Sequence, residues 1–198
     1  VESVGSPIDR VILSYSINAI DWINVTMTLS EALYSKAIPC QPYRTTVSYK
    51  VYANNTAGKT DVSEAYSYVV IDSRAPTISD VERSPISPNY NETVTVLASV
   101  TEPAGASGVK LVLLELMADS VQKVIPMTTE SEEYKGIIDE LPFGTVVKYR
   151  ILASDEADNH AVSDEGSYIV GDEFPPKIEI SSPAPDSYLK SSADVVVF

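Results

Sequence analysis

Few side chains in this sequence could do chemistry, and they do not fall into a catalytic pattern. Hydrolysis or acid-base catalysis needs a positioned base beside a nucleophile or a second carboxylate. The single histidine, His160, follows Asp158-Asn159 in a segment that reads as a loop, and the single cysteine, Cys40, has no basic or histidine neighbour to lower its pKa. No catalytic residue is assigned, and the chain is expected not to be an enzyme. Metal binding is the more open question. Asp155-Glu156-Ala157-Asp158-Asn159 offers the hard oxygen ligands that calcium requires. The spacing is not that of an EF-hand loop, so the calcium candidates Asp155, Glu156, Asp158 and Asn159 stand against a simpler reading, a solvated acidic turn. Asp72, Asp172 and Glu173 could, with Glu102, hold calcium between domains. No other cofactor is implied.

Surface chemistry is the remaining possibility. Three Asn-x-Thr sequons mark Asn24, Asn54 and Asn91 as glycosylation candidates, each at an expected strand border or loop. Trp22 is the only tryptophan and could offer a sugar platform on a sheet face. Tyr34, Tyr49 and Tyr68 recur 100 residues later, which suits core or corner residues carrying apolar area with a polar tip.

The elements that must position these residues follow from composition and repetition. The 198 residues are 44% hydrophobic and 21% charged, as in a folded chain, with room for one large domain or two ordinary ones. A net charge of -14 would repel an extended polyanion, so nucleic acid is not an expected partner. One cysteine cannot form an internal disulfide, so core burial must hold each unit. The longest apolar candidate, Val109 to Ala118, contains Lys110 and Glu115 and falls short of the roughly 20 residues of a membrane span. No signal peptide is recognised at the N-terminus.

Sliding the sequence by 100 residues aligns Arg10-Ile78 with Lys110-Ile178 without a gap, and the identities include Leu13/Leu113, Pro42/Pro142, Tyr49/Tyr149, Tyr68/Tyr168 and Asp72/Asp172. Within each copy the period is two. Val47, Tyr49, Val51 and Ala53 share one face of a strand, as do Val147, Tyr149, Ile151 and Ala153. Further strands are expected near 10-17, 22-29, 33-38, 62-71, 77-82, 92-100, 109-117, 121-128, 134-139 and 162-170, separated by Gly, Asn, Asp and Pro clusters. Short strands at this spacing indicate β-sandwiches. Ala75-Pro76 and Pro175-Pro176 mark stiff joints, because the residue before proline is held extended.

The segment Leu141-Pro142-Phe143-Gly144-Thr145, the strand through Tyr149 to Ala153, and Asp155-Glu156-Ala157-Asp158-Asn159 resemble the E-F corner, F strand and F-G loop of fibronectin type III-like and bacterial or archaeal Ig-like repeats. The first copy keeps Pro42, Thr45, Tyr49, Ala53 and Thr56-Ala57-Gly58. Arg44 replaces the corner glycine in one copy, Asp158 replaces the loop glycine in the other, and neither has the early-strand tryptophan common in fibronectin modules. The resemblance implies an all-β fold of tandem Ig-like, fibronectin type III-like sandwiches in an extracellular, cell-surface protein such as an S-layer component, adhesin or filament.

The expected division is 1-75, an Ig-like domain lacking its first two strands; 76-174, a complete one; and 175-198, the first two strands of a third unit or donor strands for a neighbouring subunit. Two readings of the frame stand: a stretch of a longer tandem array, or donor-strand completion between copies, a head-to-tail contact that builds a filament. The expected partners are adjacent repeats or neighbouring copies of the same protein. The alternative is an adhesin or accessory module of a secreted enzyme, touching glycan or protein through the Trp22 face or the loops at 54-60 and 154-160.

Overall fold

The structure, a computed structural model, describes residues 5–130, 133–182 and 196–197. Every element among the described residues is a strand. The first group is β1 (Ile8–Ser16), β2 (Ile23–Thr26), β3 (Thr28–Ser30), β4 (Leu33–Ser35), β5 (Thr46–Asn55), β6 (Thr60–Val62) and β7 (Tyr66–Val69). It is followed by β8 (Thr77–Ser84) and β9 (Val94–Thr101), and the pattern of the first group then returns as β10 (Val109–Ala118), β11 (Val121–Pro126), β12 (Thr128–Glu130), β13 (Glu133–Ile138), β14 (Val146–Asp155), β15 (His160–Val162) and β16 (Gly166–Ile169). A last pair is β17 (Ile180–Ser182) and β18 (Val196–Val197).

The second unit is a two-layer sandwich. One sheet runs β11-β10-β14-β15 with β16 also on β14, and the other runs β12-β13-β9-β8. Alternation of apolar residues aims Val112, Leu114 and Leu116 from one sheet and Val94, Val96 and Ala98 from the other into a single core. Val147, Tyr149, Ile151 and Ala153 of β14 are all buried there, the face anticipated from the period of two.

The first unit repeats one sheet, β2-β1-β5-β6 with β7 on β5, while β3 and β4 pair only with each other. In the second unit the equivalent of β4, strand β13, pairs with β9 from Ile138↔Val94 to Tyr134↔Ala98. With no equivalent of β8 and β9 among the described residues, Leu29, Leu33, Tyr66 and Tyr68 of the first unit are exposed. Tyr68 is 44% exposed where Tyr168 is 7%, so the expectation that both copies of this tyrosine are core residues holds only where β8 covers the sheet. That strand supplies Arg83, whose guanidinium lies 5.1 Å from the Tyr168 ring centroid and donates to Ser167 O and Ile86 O.

Three sequence expectations need correction. The ungapped repeat fails along β1, because Leu13 pairs with Val51 while Leu114, not Leu113, pairs with Ile151. The connection after β1 absorbs one extra residue, closed by Asn18, whose Oδ1 accepts from Ile20 N and Asp21 N. A one-residue slip would have turned the apolar face outward. The expected strands 22-29 and 121-128 break at Met27 and Met127, and 62-71 and 162-170 each break in two as well. In both copies a serine substitutes for the ladder: Ser63 Oγ accepts from Val51 N at 3.0 Å and Ser163 Oγ from Ile151 N at 2.9 Å, and each hydroxyl donates to the next carbonyl. Finally, His160 opens β15 and pairs with Ser154 rather than lying in a loop, although it is exposed.

The two glycine exchanges between copies resolve as backbone geometry. Arg44 has φ 65° where Gly144 has 81°, and Asp158 has φ 62° where Gly58 has 75°. The turns are kept in left-handed conformation even where a side chain makes that unfavourable. At the third expected pair of strands, β17 and β18 form an antiparallel ladder, Ile180↔Val197. The intervening 183–195 and terminal Phe198 lie outside the described residues, as does Val1.

Candidate functional site

The F-G loop of the second unit is built around Asp155, the last residue of β14. Its carboxylate accepts from Ala157 N at 2.9 Å, Asn159 N at 2.8 Å and Asn159 Nδ2 at 2.8 Å, and the residue is fully buried. In the first unit Asn55 takes the same place, its Oδ1 accepting from Ala57 N and Lys59 N. Either side chain closes the turn, but only aspartate adds a buried charge. Glu156 and Asp158 are exposed as a solvated turn requires, whereas Asp155 is not, so that reading is corrected for this one residue.

Beside this loop the linker folds back. Asp72 Oδ1 accepts from Arg74 N at 3.0 Å, its Oδ2 accepts from Ser107 N at 2.8 Å, and its carbonyl accepts from Asn159 Nδ2 at 3.3 Å. Glu102, just past the end of β9, accepts from Gly108 N. The result is a junction where Asp72, Glu102 and Asp155 each bring a carboxylate oxygen within 4.8 Å of the others. A second contact lies alongside: Tyr43 N donates to Gly105 O at 2.8 Å, joining the corner of the first unit to the loop after β9. A β-carbon on Gly105 would fall 3.6 Å from Pro42 Cα, so the two loops touch closely.

The electrostatics of the junction are divided. Hydrogen bonds from Arg74 N and Ser107 hold Asp72 below the ordinary aspartate range. Burial pushes Asp155 up, but the hydrogen bonds from Asn159 and Ala157 overcome it and leave the group below its usual value. Glu102 goes the other way: burial raises it, the bond from Gly108 N opposes, and the charges of Asp155 and Asp72 add to the rise. Its Oε1 is buried without a hydrogen-bond partner, and so is Ser107 Oγ beside it. Such an arrangement can share a proton between Glu102 and its neighbours or close on a hard cation, for which oxygen donors are the matching ligands.

Of the sequence-derived calcium candidates, the structure brings together Asp155, Glu102 and Asp72, with Asn159 bonded to both aspartates. Asp158 instead pairs with Lys110 at 2.7 Å, which holds the carboxyl low and the ammonium high. Asp172 caps its own turn by accepting from Phe174 N, and Glu173 N donates to Asn89 Oδ1, so these two serve the other end of the unit. Sequence reasoning missed Ser107; its only signal was position in the Gly-Ala-Ser-Gly turn after β9.

A different surface forms on the outer face of the first sheet. Trp22, Lys50 and Tyr52 stack there, with the ammonium 4.5 Å from the Trp22 centroid and 5.3 Å from that of Tyr52. They line a depression of about 390 Å³ together with Asn24 and Asn54. Asn91 lies elsewhere, exposed in the turn before β9. Cys40 is exposed.

The strand order, the two-sheet core of the second unit and the return of one of its sheets in the first define an all-β chain of Ig-like, fibronectin type III-like β-sandwich architecture. No family model matches the sequence, and no curated protein matches it. Among solved structures it is similar to the FN1-FN3 domains of chicken CNTN1, at 20% identity and a TM-score of 0.41, with 85% of this chain and 57% of that chain covered. The chain thus spans 57% of the length of that structure. No helix is long and apolar enough to cross a membrane among the described residues.

Proposed function

We propose that this chain is part of an extracellular structural protein, with tandem Ig-like units forming a segment of a surface layer, stalk or filament. The observation that carries the reading is the junction. Asp72, Tyr43, Ser107, Gly105 and Asn159 link the units by three hydrogen bonds across a proline joint, and a spacer needs that kind of fixed angle between modules. The units divide near Ala75-Pro76 and Pro175-Pro176, and adjacent repeats or neighbouring copies are the partners. Its work is mechanical, so no catalytic residue is assigned. Electron microscopy of the native assembly tests this: an extended string, lattice or filament is expected, and isolated compact particles would remove the reading.

Donor-strand completion is supported by one feature. The β17-β18 pair has the antiparallel arrangement of β8-β9, the hairpin that covers Tyr168 in the second unit. A hairpin of that kind from an adjacent unit or a neighbouring copy would cover Tyr68. A monomeric 198-residue chain whose first unit is as protected from hydrogen exchange as its second would exclude completion by a second copy. The adhesin or accessory-module reading is favoured by the Trp22-Lys50-Tyr52 surface, and a glycan array separates it from pure spacing.

A further inference from the structure

The same outer face carries two sequons in a common geometry. Trp22 precedes Asn24 by two positions, and Tyr52 precedes Asn54 by two. Residues two apart on an extended strand point to one side, which sets Tyr52 beside Asn54 on β5, and Trp22, just before β2, lines the same depression as Asn24. Both pairs are on one sheet: Asn24 lies on the edge strand β2, opposite Ser14, and Asn54 lies on β5, with β1 between them. The second unit is an internal control. At the equivalent positions it has Gln122, Val124, Leu152 and Ser154, so both rings and both acceptors are absent together. That face carries instead Arg150, which pairs with Glu115, while Gln122 Nε2 donates to Glu115 Oε1 at 2.7 Å. In the first unit Ser14 replaces Glu115, and the ammonium of Lys50 is left on the two rings.

We propose that Asn24 and Asn54 carry N-linked glycans whose first sugars lie against Trp22 and Tyr52, with Lys50 between them donating to sugar oxygens. The inference rests on the extracellular reading. In the attachment, the carboxamide nitrogen bonds to the anomeric carbon of a polyisoprenyl-phosphate-linked oligosaccharide. The carbon-oxygen bond to phosphate breaks, the lipid phosphate departs, and the amide loses one proton; nothing is oxidised or reduced. A sugar presents C-H groups on one face and hydroxyls around its rim, which suits an aromatic ring flanked by an ammonium donor. Asn91 is an acceptor of another kind. The residue two before it is Asn89, and the adjacent Tyr90 ring is engaged by Phe174, 6.1 Å away and edge-on.

The test has two arms. Glycopeptide mass spectrometry of native material should find sugar on the Asn24 and Asn54 peptides. The 198-residue chain, made in a glycosylating secretory host and in a bacterial host without glycosylation, is then compared by thermal unfolding. The glycosylated form should melt at least about 2 °C higher, the shift expected when a ring contact is added to a unit of this size. Trp22→Ala and Tyr52→Ala should each remove part of that rise while changing the bare chain less, and a glycan at Asn91 should add none. A rise independent of both rings overturns the proposal. Sugar on Asn91 with Asn24 and Asn54 bare overturns it but leaves the extracellular reading standing, whereas three bare sequons in native material count against both.

Discussion

The repeated tyrosine provides a prediction with its own control. Tyr68 and Tyr168 occupy matching strands, pair with matching residues and approach Tyr49 and Tyr149 at 6.3 and 6.4 Å, yet they are 44% and 7% exposed. A tyrosine carries roughly 200 Å² of surface, so the exposure difference amounts to about 75 Å², or about 2 kcal/mol at roughly 25 cal/mol per Å². Tyr168→Ala opens a cavity under β8 and removes the Arg83 contact; large aromatic truncations of this kind cost about 3–5 kcal/mol. Tyr68→Ala should therefore cost about 2 kcal/mol less. Urea unfolding measures both. The only tryptophan, Trp22, belongs to the first unit, so its fluorescence follows that unit while circular dichroism follows both. Tyr168→Ala should shift the circular-dichroism transition that fluorescence does not report. In heat, a loss of that size lowers the midpoint of a unit of about 100 residues by more than about 12 °C. Equal losses from the two substitutions would refute the reasoning, because they would mean that the first sheet's inner face is covered as well as the second's.

Other consequences are open to measurement. Gly166→Ala would place a β-carbon 2.3 Å from Tyr149 Cζ, and since that ring is packed in the core the substitution should cost about 1–3 kcal/mol by calorimetry. Burial raises the Tyr168 hydroxyl to about 12 against the opposing charge of Arg83, so its contribution to stability is complete below the ordinary value of 10.0 and is lost as pH rises through about 12. Ultraviolet titration should show one tyrosine ionising last, and Tyr168→Phe should remove it. At the junction, closure of Asp72, Glu102 and Asp155 on a hard cation would make millimolar calcium raise the unfolding midpoint and Glu102→Gln abolish the rise. An unchanged midpoint assigns the three carboxylates to hydrogen bonding alone.

Much of the fold was legible because the signal was written twice. Period-two alternation in β5 and β14, Pro42 and Pro142 at the corners, and the Asn55 and Asp155 turns all recur in register. Errors arose where local chemistry overrode periodicity. The serine hydroxyls of Ser63 and Ser163 break a run that hydrophobicity makes continuous, and the extra residue near Asn18 shifts β1 without altering its alternation. The candidate site was half legible. Asp155 and Glu102 were calcium candidates in two separate groups, the first set against a solvated acidic turn, and Asp172 and Glu173 looked as eligible as Asp72, since no sequence pattern states which linker folds against which loop.

The sequence by itself determined the repeat and the all-β class, because each depends on residues close along the chain. It also places Trp22 and Tyr52 two residues before sequon asparagines, and for Tyr52 and Asn54 on β5 the shared side follows from the pleat of the strand. Only the tertiary structure decided that Asp72 meets Asp155, that Tyr168 is covered while Tyr68 is open, and that Trp22 and Tyr52 converge on Lys50. Those outcomes depend on contacts between distant segments, and burial, which raises the Glu102 carboxyl above its ordinary range, is a property of the packed chain rather than of any residue in it.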